Sequence, residues 1–453
     1  MFEKILIANR GEIAVRVLRA CRELGVRTVA VYSTEDTDSA VVRMADESVR
    51  IGLAPSRQSY LNAAAVIEAA RITGADAIHP GYGFLSEDAD FAEVCEAEGI
   101  TFIGPPPEVM ARLGDKTSAR AAMTAAGLPL LPGSVEPLAD ADAAKRLADD
   151  IGYPVIIKAA AGGGGRGMSI VEDPVDFARS YQQTKATALQ LFGDGRVYVE
   201  RYLPSARHVE IQVLCDTHGN AIHLGERDCS VQRRHQKLVE ETPAPGLPAE
   251  LTERMGAAAV RGALAAGYVG AGTFEFLVDT ENDFSFMEVN CRIQVEHPVT
   301  EVVTGVDLVA EQLRIASGEP LRLRQEDVRL RGVAIECRVN VEDPERGFAP
   351  APGRLEQFMP PGGPFVRVDT HGFTGYKVPA SYDSLLAKVI TWAPDRDQAI
   401  ARMRRALAEF RIHGPGVHTT CAFLDKVLST PDFAEGKHDT SLVARLLEPT
   451  SVR

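Results

Sequence analysis

A glycine-rich segment at residues 158–168 combines a flexible backbone with two cations. Between Lys158 and Arg166 it contains a run of four consecutive glycines. Because glycine has no side chain, the backbone N–H groups of such a loop can close over phosphate oxygens. The Lys-Ser/Thr pair that completes a P-loop does not follow. Apolar runs on both sides favour a strand–loop–strand lid, and an ordinary surface linker is the alternative.

Acidic side chains recur within two apolar, strand-like runs at residues 273–277 and 286–290. Glu275 lies in the first run, and Glu288 and Asn290 lie in the second. Side chains alternate along a strand, so Glu288 and Asn290 share one face, and a hairpin can place Glu275 opposite them. Buried carboxylates are costly unless they are paired or bound to metal, and Mg²⁺ prefers oxygen ligands. The pattern favours a magnesium site, with carboxylates paired to arginines at a sheet edge as the alternative.

Residues that can bind an anion and move a proton are concentrated at positions 288–298. The forked donors of Arg292 can hold a small planar anion. Glu296 follows it and can accept a proton from such an anion. Taken alone, a string of this kind is more often surface polarity, so its role depends on where the fold places it.

The densest basic stretch of the chain runs from residue 226 to residue 237. Gln232, His235 and Lys237 lie in its second half. A nucleic-acid patch is disfavoured because acidic residues flank the cations on both sides and no aromatic residues are interleaved with them. A pocket for a triphosphate or for bicarbonate fits the composition better.

A further strand-like run, at residues 332–340, alternates apolar and polar side chains. Glu336, Arg338 and Asn340 are therefore predicted to share one face, while the apolar residues enter the core. A polar strand face is usually solvated, so spacing alone assigns no function to Arg338.

Strands and helices must position these residues. Over the first 110 or so residues the sequence predicts strands that alternate with helices. Strands are predicted at 4–8 and 27–32, with a helix at 13–24 between them. This order predicts a parallel sheet covered by helices, as in a Rossmann-like domain. The first strand–helix turn has Gly11 alone where dinucleotide-binding folds need G-x-G-x-x-G, so a dinucleotide site is excluded.

A proline-rich break at 104–107 and a second boundary near 318–325 divide the chain into three predicted domains. The predicted fold class is therefore a multidomain one that combines α/β and α+β domains. The domains are a Rossmann-like domain at residues 1–114, a central domain at residues 115–320 with a lid subdomain at about 130–204, and a C-terminal domain at residues 330–447. The last is predicted to contain strands joined by proline- and glycine-rich turns, followed by a helix at 397–410.

Charge and cysteine usage exclude several classes of protein. The 63 acidic and 49 basic residues give a formal net charge of −14, which disfavours nucleic-acid binding through the overall field. The seven cysteines are odd in number, lie far apart and form no CxxC, which favours a reducing compartment over a disulfide framework or a structural zinc site. The sequence has no long apolar run and no signal-peptide pattern. We therefore expect a cytoplasmic protein with no nucleic-acid or membrane partner.

Three strings make the sequence similar to one known family. They are residues 79–87 (HPGYGFLSE), residues 226–237 (ERDCSVQRRHQK) and residues 292–301 (RIQVEHPVTE). Together they resemble the biotin carboxylase family of the ATP-grasp superfamily, and the resemblance covers nearly the whole chain. It implies a Rossmann-like N-terminal domain, an ATP-grasp domain with a mobile lid and a C-terminal biotin carboxylase domain.

The resemblance also implies roles for individual residues. For ATP it implies contacts from Lys116, Lys158, Gly164, Gly165, Arg166, Glu200, Arg201, Tyr202, Leu203, His208, Gln232, His235, Glu275, Leu277 and Glu288. For the metal it implies Glu275, Glu288 and Asn290. For bicarbonate and biotin it implies Lys237, Arg292, Gln294, Val295, Glu296 and Arg338, of which Lys237, Arg292, Glu296 and Arg338 are implied to be catalytic.

The family's reaction implies cofactors and partners as well. ATP is the co-substrate, with Mg²⁺ or Mn²⁺, and bicarbonate supplies the carboxyl group. No Ala-Met-Lys-Met string occurs, so biotin is expected on a separate carrier protein, with a carboxyltransferase to complete the reaction. The expected setting is a multisubunit acetyl-CoA carboxylase of fatty acid synthesis. Arg19 and Glu23 resemble a dimer contact of bacterial family members, so a homodimer is expected, although Pro364 stands where an aromatic residue is usual in the facing segment.

Two other functions compete with this interpretation. Another ATP-grasp ligase would share the lid and the metal ligands, but it is not expected to carry the strings at 232–237 and 292–296 together. A nucleotide-binding regulatory protein that has lost catalysis is expected to have lost the base or a metal ligand. The residues concerned are all present: Glu275, Glu288, Arg292, Glu296 and Arg338.

Overall fold

The computed structural model describes residues 1–134, 136–138, 140–160 and 167–448, which form three successive regions. Gly164, Gly165 and Arg166, which the sequence assigns to a mobile lid, lie outside the described residues.

The N-terminal region is a layered α/β structure, as predicted. Its elements are β1 (Lys4–Ile7), α1 (Gly11–Glu23), β2 (Arg27–Ser33), α2 (Ala40–Met44), β3 (Glu47–Gly52), α3 (Ala63–Thr73), β4 (Ala77–His79), α4 (Ala89–Ala97), β5 (Thr101–Phe102) and α5 (Pro107–Gly114). The strands form a parallel sheet in the order β3-β2-β1-β4-β5. Strand β1 is buried along its whole length, and its neighbouring residues Leu6 and Ile7 enter two different apolar cores. Such a sheet is covered on both faces.

Loops at the carboxyl end of this sheet lead toward the next region. The Nδ2 of Asn9, just after β1, donates hydrogen bonds to the carbonyl oxygens of Pro80 (2.7 Å) and Tyr82 (2.8 Å), just after β4. Because β1 and β4 are parallel neighbours, the loops that follow them meet at one edge of the sheet. That edge carries Tyr82 and Glu87 to the cleft described below.

The central region contains a small lid sheet and the predicted hairpins. Its elements are α6 (Lys116–Ala125), α7 (Ala141–Ile151), β6 (Val155–Ala159), β7 (Met168–Val171), α8 (Phe177–Phe192), β8 (Val197–Arg201), β9 (Arg207–Cys215), β10 (Ala221–Arg233), β11 (Gln236–Thr242), α9 (Ala249–Ala266), β12 (Gly270–Val278), β13 (Phe284–Asn290), α10 (His297–Thr304) and α11 (Leu308–Ala316). Strands β6, β7 and β8 form an antiparallel sheet in the order β7-β6-β8. The glycine-rich segment therefore connects two paired strands, as the flanking apolar runs predict.

The C-terminal region continues the main sheet of the central region. Its elements are β14 (Val333–Asn340), β15 (Glu342–Asp343), β16 (Ala349–Pro350), β17 (Gln357–Met359), β18 (Val366–Thr370), β19 (Leu385–Ala393), α12 (Arg396–Glu409), β20 (Arg411–His413), α13 (Cys421–Leu428), α14 (Pro431–Ala434) and α15 (Leu442–Leu447). One antiparallel sheet of eight strands runs in the order β13-β12-β9-β10-β11-β14-β19-β18. It crosses the boundary predicted near 318–325, because β11 pairs with β14. The domain limits at 1–114, 115–320 and 330–447 stay a prediction.

The helix predicted at 397–410 is α12, but three helices that periodicity did not predict follow it. Helices α13, α14 and α15 span eight, four and six residues. Such short segments show no clear helical stripe in sequence, and most of their stability comes from packing. Leu424, Val427 and Phe433 are completely buried in the C-terminal core.

Within the described ranges, no helix is long and apolar enough to cross a membrane. All seven cysteines are free, and six of them are buried.

Candidate active site

A cleft of about 1540 Å³ lies where the three regions meet. The predicted site residues that line it are Lys116, Lys158, Arg201, Tyr202, Leu203, His208, Gln232, His235, Lys237, Glu275, Leu277, Glu288, Asn290, Arg292, Gln294, Val295 and Arg338. Glu200 and Glu296 stand behind the wall of the cleft, with 3% and 0% of their surface exposed. The fold thus brings together residues that the sequence places in seven separate segments.

Two lysines approach the cleft from different elements. Lys158 lies on β6, and its Nζ is 2.6 Å from Oε2 of Glu200. Lys116 begins α6, and its Nζ is 3.9 Å from Oε2 of Glu288. Burial lowers the pKa of Lys158, but the charge of Glu200 outweighs it and raises that pKa above its usual value. Lys158 is therefore a fixed cation at neutral pH, available to a phosphate group.

Arg201 ends β8 of the lid sheet, and Tyr202 and Leu203 begin the segment that leads to β9 of the main sheet. The backbone N–H of Arg201 donates to the carbonyl oxygen of Pro132 (2.8 Å), and that of Tyr202 donates to the carbonyl oxygen of Pro154 (3.0 Å). These bonds fix the backbone of this segment at the edge of the cleft.

His208, Gln232 and His235 come from the strand pair β9–β10 and from the turn after β10. Nε2 of His208 is 2.9 Å from Oε2 of Glu275, and its Nδ1 is 3.4 Å from the side-chain nitrogen of Gln232. Burial lowers the pKa of His208, but the charge of Glu275 more than compensates and raises it. His235 is exposed in the β10–β11 turn with φ of +65°, and its side chain lines the same cleft.

The β12–β13 hairpin places Glu275 directly opposite Glu288. Oε1 of Glu275 accepts hydrogen bonds from Nδ2 of Asn290 (2.8 Å) and Nζ of Lys237 (3.0 Å). Desolvation in the cleft and then the charge of Glu275 raise the pKa of Glu288, whose side chain is 37% exposed. A divalent cation relieves such repulsion, and two carboxylates with an amide oxygen form a donor set that suits Mg²⁺ or Mn²⁺.

Lys237 is the centre of a buried ionic cluster. Its Nζ lies 2.5 Å from Glu210, 2.6 Å from Glu296 and 3.0 Å from Glu275. The three carboxylates raise the pKa of Lys237 well above its usual value, although burial opposes this shift. Burial raises the pKa of Glu296, but Lys237 and Arg338 outweigh it and hold that pKa well below its usual range. Glu296 is therefore an ionised and firmly oriented carboxylate.

Arg292 is held by groups from three sides. Its Nε is 3.0 Å from Oε2 of Glu87, its Nη1 donates to Oε1 of Gln294 (2.9 Å), and its Nη2 donates to Oδ1 of Asn290 (3.1 Å). Glu87 belongs to the N-terminal region, so that region takes part in orienting the guanidinium. A planar anion that enters the cleft meets donors that are already aligned.

Arg338 reaches Glu296 from β14 of the C-terminal region. Its Nη2 is 3.0 Å from Oε2 of Glu296, and its Nε donates to Oε1 of Glu240 (2.6 Å). The predicted shared face of β14 is confirmed, since Arg338 and Asn340 both line the cleft. Glu336 differs from the usual solvated position on such a face, because it is completely buried.

The backbone at Val295 is fixed from the C-terminal region. Nζ of Lys388, on β19, donates a hydrogen bond of 2.8 Å to the carbonyl oxygen of Val295. This contact holds the peptide groups between Arg292 and Glu296 in place.

Three buried residues of this site were missed by the sequence analysis: Glu210, Arg227 and Glu240. Nε of Arg227 donates to Glu210 at 2.5 Å, so Glu210 is shared between Arg227 and Lys237. All three residues have almost no exposed surface. The available signal was the presence of charged residues within the apolar strands β9, β10 and β11, since buried charges are rarely tolerated without partners.

Three family profiles match the chain in succession. "Biotin carboxylase, N-terminal domain" matches residues 1–110, "Carbamoyl-phosphate synthase L chain, ATP binding domain" matches residues 115–324, and "Biotin carboxylase C-terminal domain" matches residues 336–445. Together they cover the three regions described above.

Relatives match over almost the full length. A protein named biotin carboxylase from a Nostoc species is 54% identical over 445 residues, which is 98% of this chain and 99% of the relative. The crystal structure of a biotin carboxylase–beta-gamma-ATP complex from Campylobacter jejuni is 49% identical, with a TM-score of 0.95, and covers 98% of this chain and 99% of its own. The biotin carboxylase domain dimer of 2-oxoglutarate carboxylase from Hydrogenobacter thermophilus, solved with MgADP, ADP and bicarbonate, is 49% identical, with a TM-score of 0.95 and 98% of each chain covered. Agreement of this kind in sequence and fold means that the chain belongs to the biotin carboxylase family of ATP-grasp enzymes.

Proposed function

We propose that this enzyme performs ATP-dependent biotin carboxylation with the residues that meet in the cleft, and that a separate carrier protein holds the biotin. The observation that supports this most strongly is a single constellation on one wall. Glu296, an ionised carboxylate, lies between the cations Lys237 and Arg338. The same cleft holds Lys116 and Lys158, cations of the kind that bind phosphates.

ATP would bind with its base against the segment from Glu200 to Leu203 and its phosphates toward Lys116 and Lys158. His208, Gln232, His235 and Leu277 would complete this part of the site, with Gly164, Gly165 and Arg166 closing over the phosphates. Glu275, Glu288 and Asn290 would hold Mg²⁺ or Mn²⁺. When bound, the metal supplies positive charge that neutralises the charge developing on the transferred phosphoryl group.

Bicarbonate would be held by the forked donors of Arg292 together with Gln294 and Val295. With the contacts seen here, the low pKa of Glu296 makes it a weak base. A bicarbonate anion that takes over donors of Lys237 and adds its own negative charge raises that pKa, which makes Glu296 a better proton acceptor. The deprotonated anion attacks the γ-phosphoryl group of ATP and gives carboxyphosphate and ADP.

Arg338 would act on the second half of the reaction. Carboxyphosphate releases CO₂ and phosphate, and the phosphate takes the proton from the ureido nitrogen of biotin. The guanidinium of Arg338 stabilises the enolate-like oxygen that results, and the biotin nitrogen attacks CO₂. Because Glu240 and Glu296 hold Arg338 from two sides, its donors are oriented before biotin arrives.

The partners we propose are a biotinylated carrier protein and a carboxyltransferase in an acetyl-CoA carboxylase, within the cytoplasm. Seven free cysteines are compatible with that reducing compartment. The Hydrogenobacter relative is part of a 2-oxoglutarate carboxylase, so the acceptor of the carboxyl group needs its own test. That relative was solved as a dimer, which supports a homodimer here. Phe365 is 60% exposed and packs on Trp392, so an apolar surface is available for such a contact.

The test is ADP release from the purified protein with MgATP, bicarbonate and free biotin, each omitted in turn. We expect ADP formation that needs bicarbonate, increases with biotin and is lost when EDTA removes the metal. No turnover with a biotinylated carrier would favour a regulatory nucleotide-binding protein. Stimulation by another carboxylate or by an amine, without bicarbonate, would favour a different ATP-grasp ligase.

The partner proposal is tested separately. Adding the carrier and carboxyltransferase subunits of the same organism, with a panel of acyl-CoA and 2-oxo acid acceptors, identifies the acceptor. Transfer to acetyl-CoA supports the proposed complex, and transfer only to another acceptor contradicts it. Analytical ultracentrifugation of the wild-type protein decides between monomer and dimer.

A further inference from the structure

Arg120 is a buried arginine of α6 to which neither the motifs nor the proposed reaction assigns a role. It follows Lys116 by one helical turn, so the two cations share a face of α6. Arg120 has 6% of its surface exposed, and buried arginines need a specific partner. The role of Arg120 is therefore inferred from the residue with which it pairs.

The partner is Glu200, which also holds Lys158. Nη1 of Arg120 donates to Oε1 of Glu200, and Nζ of Lys158 donates to Oε2 of the same carboxylate at 2.6 Å. Each carboxylate oxygen therefore has its own cation. Burial raises the pKa of Glu200, but the charges of Lys158 and Arg120 outweigh it and lower the pKa below its usual value. Glu200 thus stays ionised at 3% exposure.

The two cations differ in their freedom to leave. The side chain of Lys158 is on the edge of the cleft, and under the proposed function it must exchange Glu200 for a phosphate of the nucleotide. Arg120 does not line the cleft, and its Nη2 lies 3.4 Å from the carbonyl oxygen of Leu131. Its Cζ also lies 5.9 Å from the ring centre of Tyr198, a distance suited to a cation–π contact.

The segment around Gly133 closes over this ion pair. Gly133 pairs with Glu200 as an isolated bridge, and a Cβ at this position would lie 2.6 Å from the carbonyl oxygen of Val199 and 2.9 Å from Cγ of Glu200. Only glycine allows so close an approach. The carboxylate of Glu200 is therefore kept beside Arg120 whether or not Lys158 stays.

We propose that Arg120 is a positioning residue for nucleotide binding, which keeps Glu200 neutralised so that Lys158 is free to bind a phosphate. A buried carboxylate that loses its only cation is strongly unfavourable, so without Arg120 the ammonium of Lys158 is retained by Glu200. With Arg120 present, Glu200 and its two cations carry a net positive charge, which favours the binding of an anion. The inference rests on the proposed function, since it takes Lys158 as a phosphate ligand.

The experiment compares Arg120→Met with wild type in ATP-dependent turnover and in ADP binding measured by calorimetry. We expect KM for ATP and Kd for ADP to rise about tenfold or more, while kcat changes much less. Arg120→Lys, which keeps the charge, should recover most of the affinity. Arg112→Met is the matched control, because Arg112 lies on the neighbouring helix α5, is exposed, and donates to the carbonyl oxygen of Ala266. It should behave as wild type.

A double variant separates this role from a purely structural one. In Arg120→Met/Glu200→Gln the carboxylate that retains Lys158 is gone, so nucleotide affinity should return to that of Glu200→Gln alone. Additive losses in the double variant, or unchanged ADP binding in Arg120→Met, would overturn the inference. If Arg120→Met does not fold, Arg120→Gln replaces it in the same comparison. A wild type that binds ADP but shows no bicarbonate-dependent turnover would contradict the proposed function alone, because the ADP comparison still decides the role of Arg120.

Discussion

Lys388 and Glu12 form a buried ion pair of 3.0 Å between β19 of the C-terminal region and α1 of the N-terminal region. Neither side chain has more than 1% of its surface exposed. The same ammonium donates to the carbonyl oxygen of Val295 in the central region. One charged group therefore connects all three regions beside the proposed bicarbonate site.

Replacing Lys388 by methionine should destabilise the protein and disturb the site. Loss of one partner of a buried ion pair costs about 3–5 kcal/mol, because the other charge is left without compensation. We expect this decrease in the free energy of unfolding near pH 8, measured by chemical denaturation, together with a higher KM for bicarbonate. Lys437→Met is the control, since Lys437 forms an exposed pair with Glu435 and should leave both quantities unchanged. A Lys388→Met protein as stable as this control would contradict the stabilising role assigned to the contacts of Lys388.

Arg338→Ala should separate the two halves of the reaction. Loss of one preorganised donor to a developing oxyanion reduces kcat by about 10²–10³. We expect a loss of this size in carboxybiotin formation, whereas the slow, bicarbonate-dependent release of ADP without biotin should be far less affected. Arg346→Ala, at an exposed position of the same region, is the control. Near-normal carboxybiotin formation by Arg338→Ala would refute the role of Arg338 toward biotin.

Glu296→Gln should remove the base while keeping the shape of the site. General base catalysis contributes about 10²–10⁴ in rate, so kcat should fall within that range. The KM for bicarbonate should not rise, because a negative charge next to the anion is removed while Lys237 and Arg338 remain. Steady-state kinetics of bicarbonate-dependent ADP release measures both quantities, with the exposed Glu345→Gln as control. A raised KM with unchanged kcat would show that Glu296 binds bicarbonate and does not deprotonate it.

Glu336→Gln should alter the pH dependence of stability. Neither carboxyl oxygen of Glu336 has a hydrogen-bond partner within the described part of the chain, and burial raises its pKa well above the usual value. In the folded protein Glu336 therefore keeps its proton at a pH where the unfolded chain has lost it. The contribution of protonated Glu336 to the free energy of unfolding is fully present below the pKa of about 4.3 that this group has in the unfolded chain. As the pH rises from there toward the pKa of the folded protein, the free energy of unfolding decreases by up to about 1.4 kcal/mol per pH unit.

Glutamine does not titrate, so the variant lacks this dependence. We expect Glu336→Gln and wild type to melt at similar temperatures near pH 5 and the variant to melt higher near pH 8. Thermal unfolding at a series of pH values measures the difference. Parallel curves for the two proteins would show that Glu336 is ionised in the folded state, in which case Lys388 and Arg338 compensate its charge more fully than the shift indicates.

The sequence alone determined the residues that local periodicity or a dense motif marks. Alternation along β13 placed Glu288 and Asn290 on one face, and alternation along β14 did the same for Arg338 and Asn340. The strings at 79–87, 226–237 and 292–301 indicated the family, and the strand–helix order of the first region predicted its parallel sheet. Each of these inferences needs only neighbouring positions, which is why each could be made without a structure.

Only the tertiary structure decided which charged groups share a partner. Arg338 meets Glu296 across 42 positions, Arg120 meets Glu200 across 80, and Lys388 meets Val295 across 93. These contacts depend on the register of an eight-stranded sheet and on how three regions pack against it, and no local period encodes either. Buried charges are tolerated only where such distant partners arrive, so the same packing that closes the core also assembles the site.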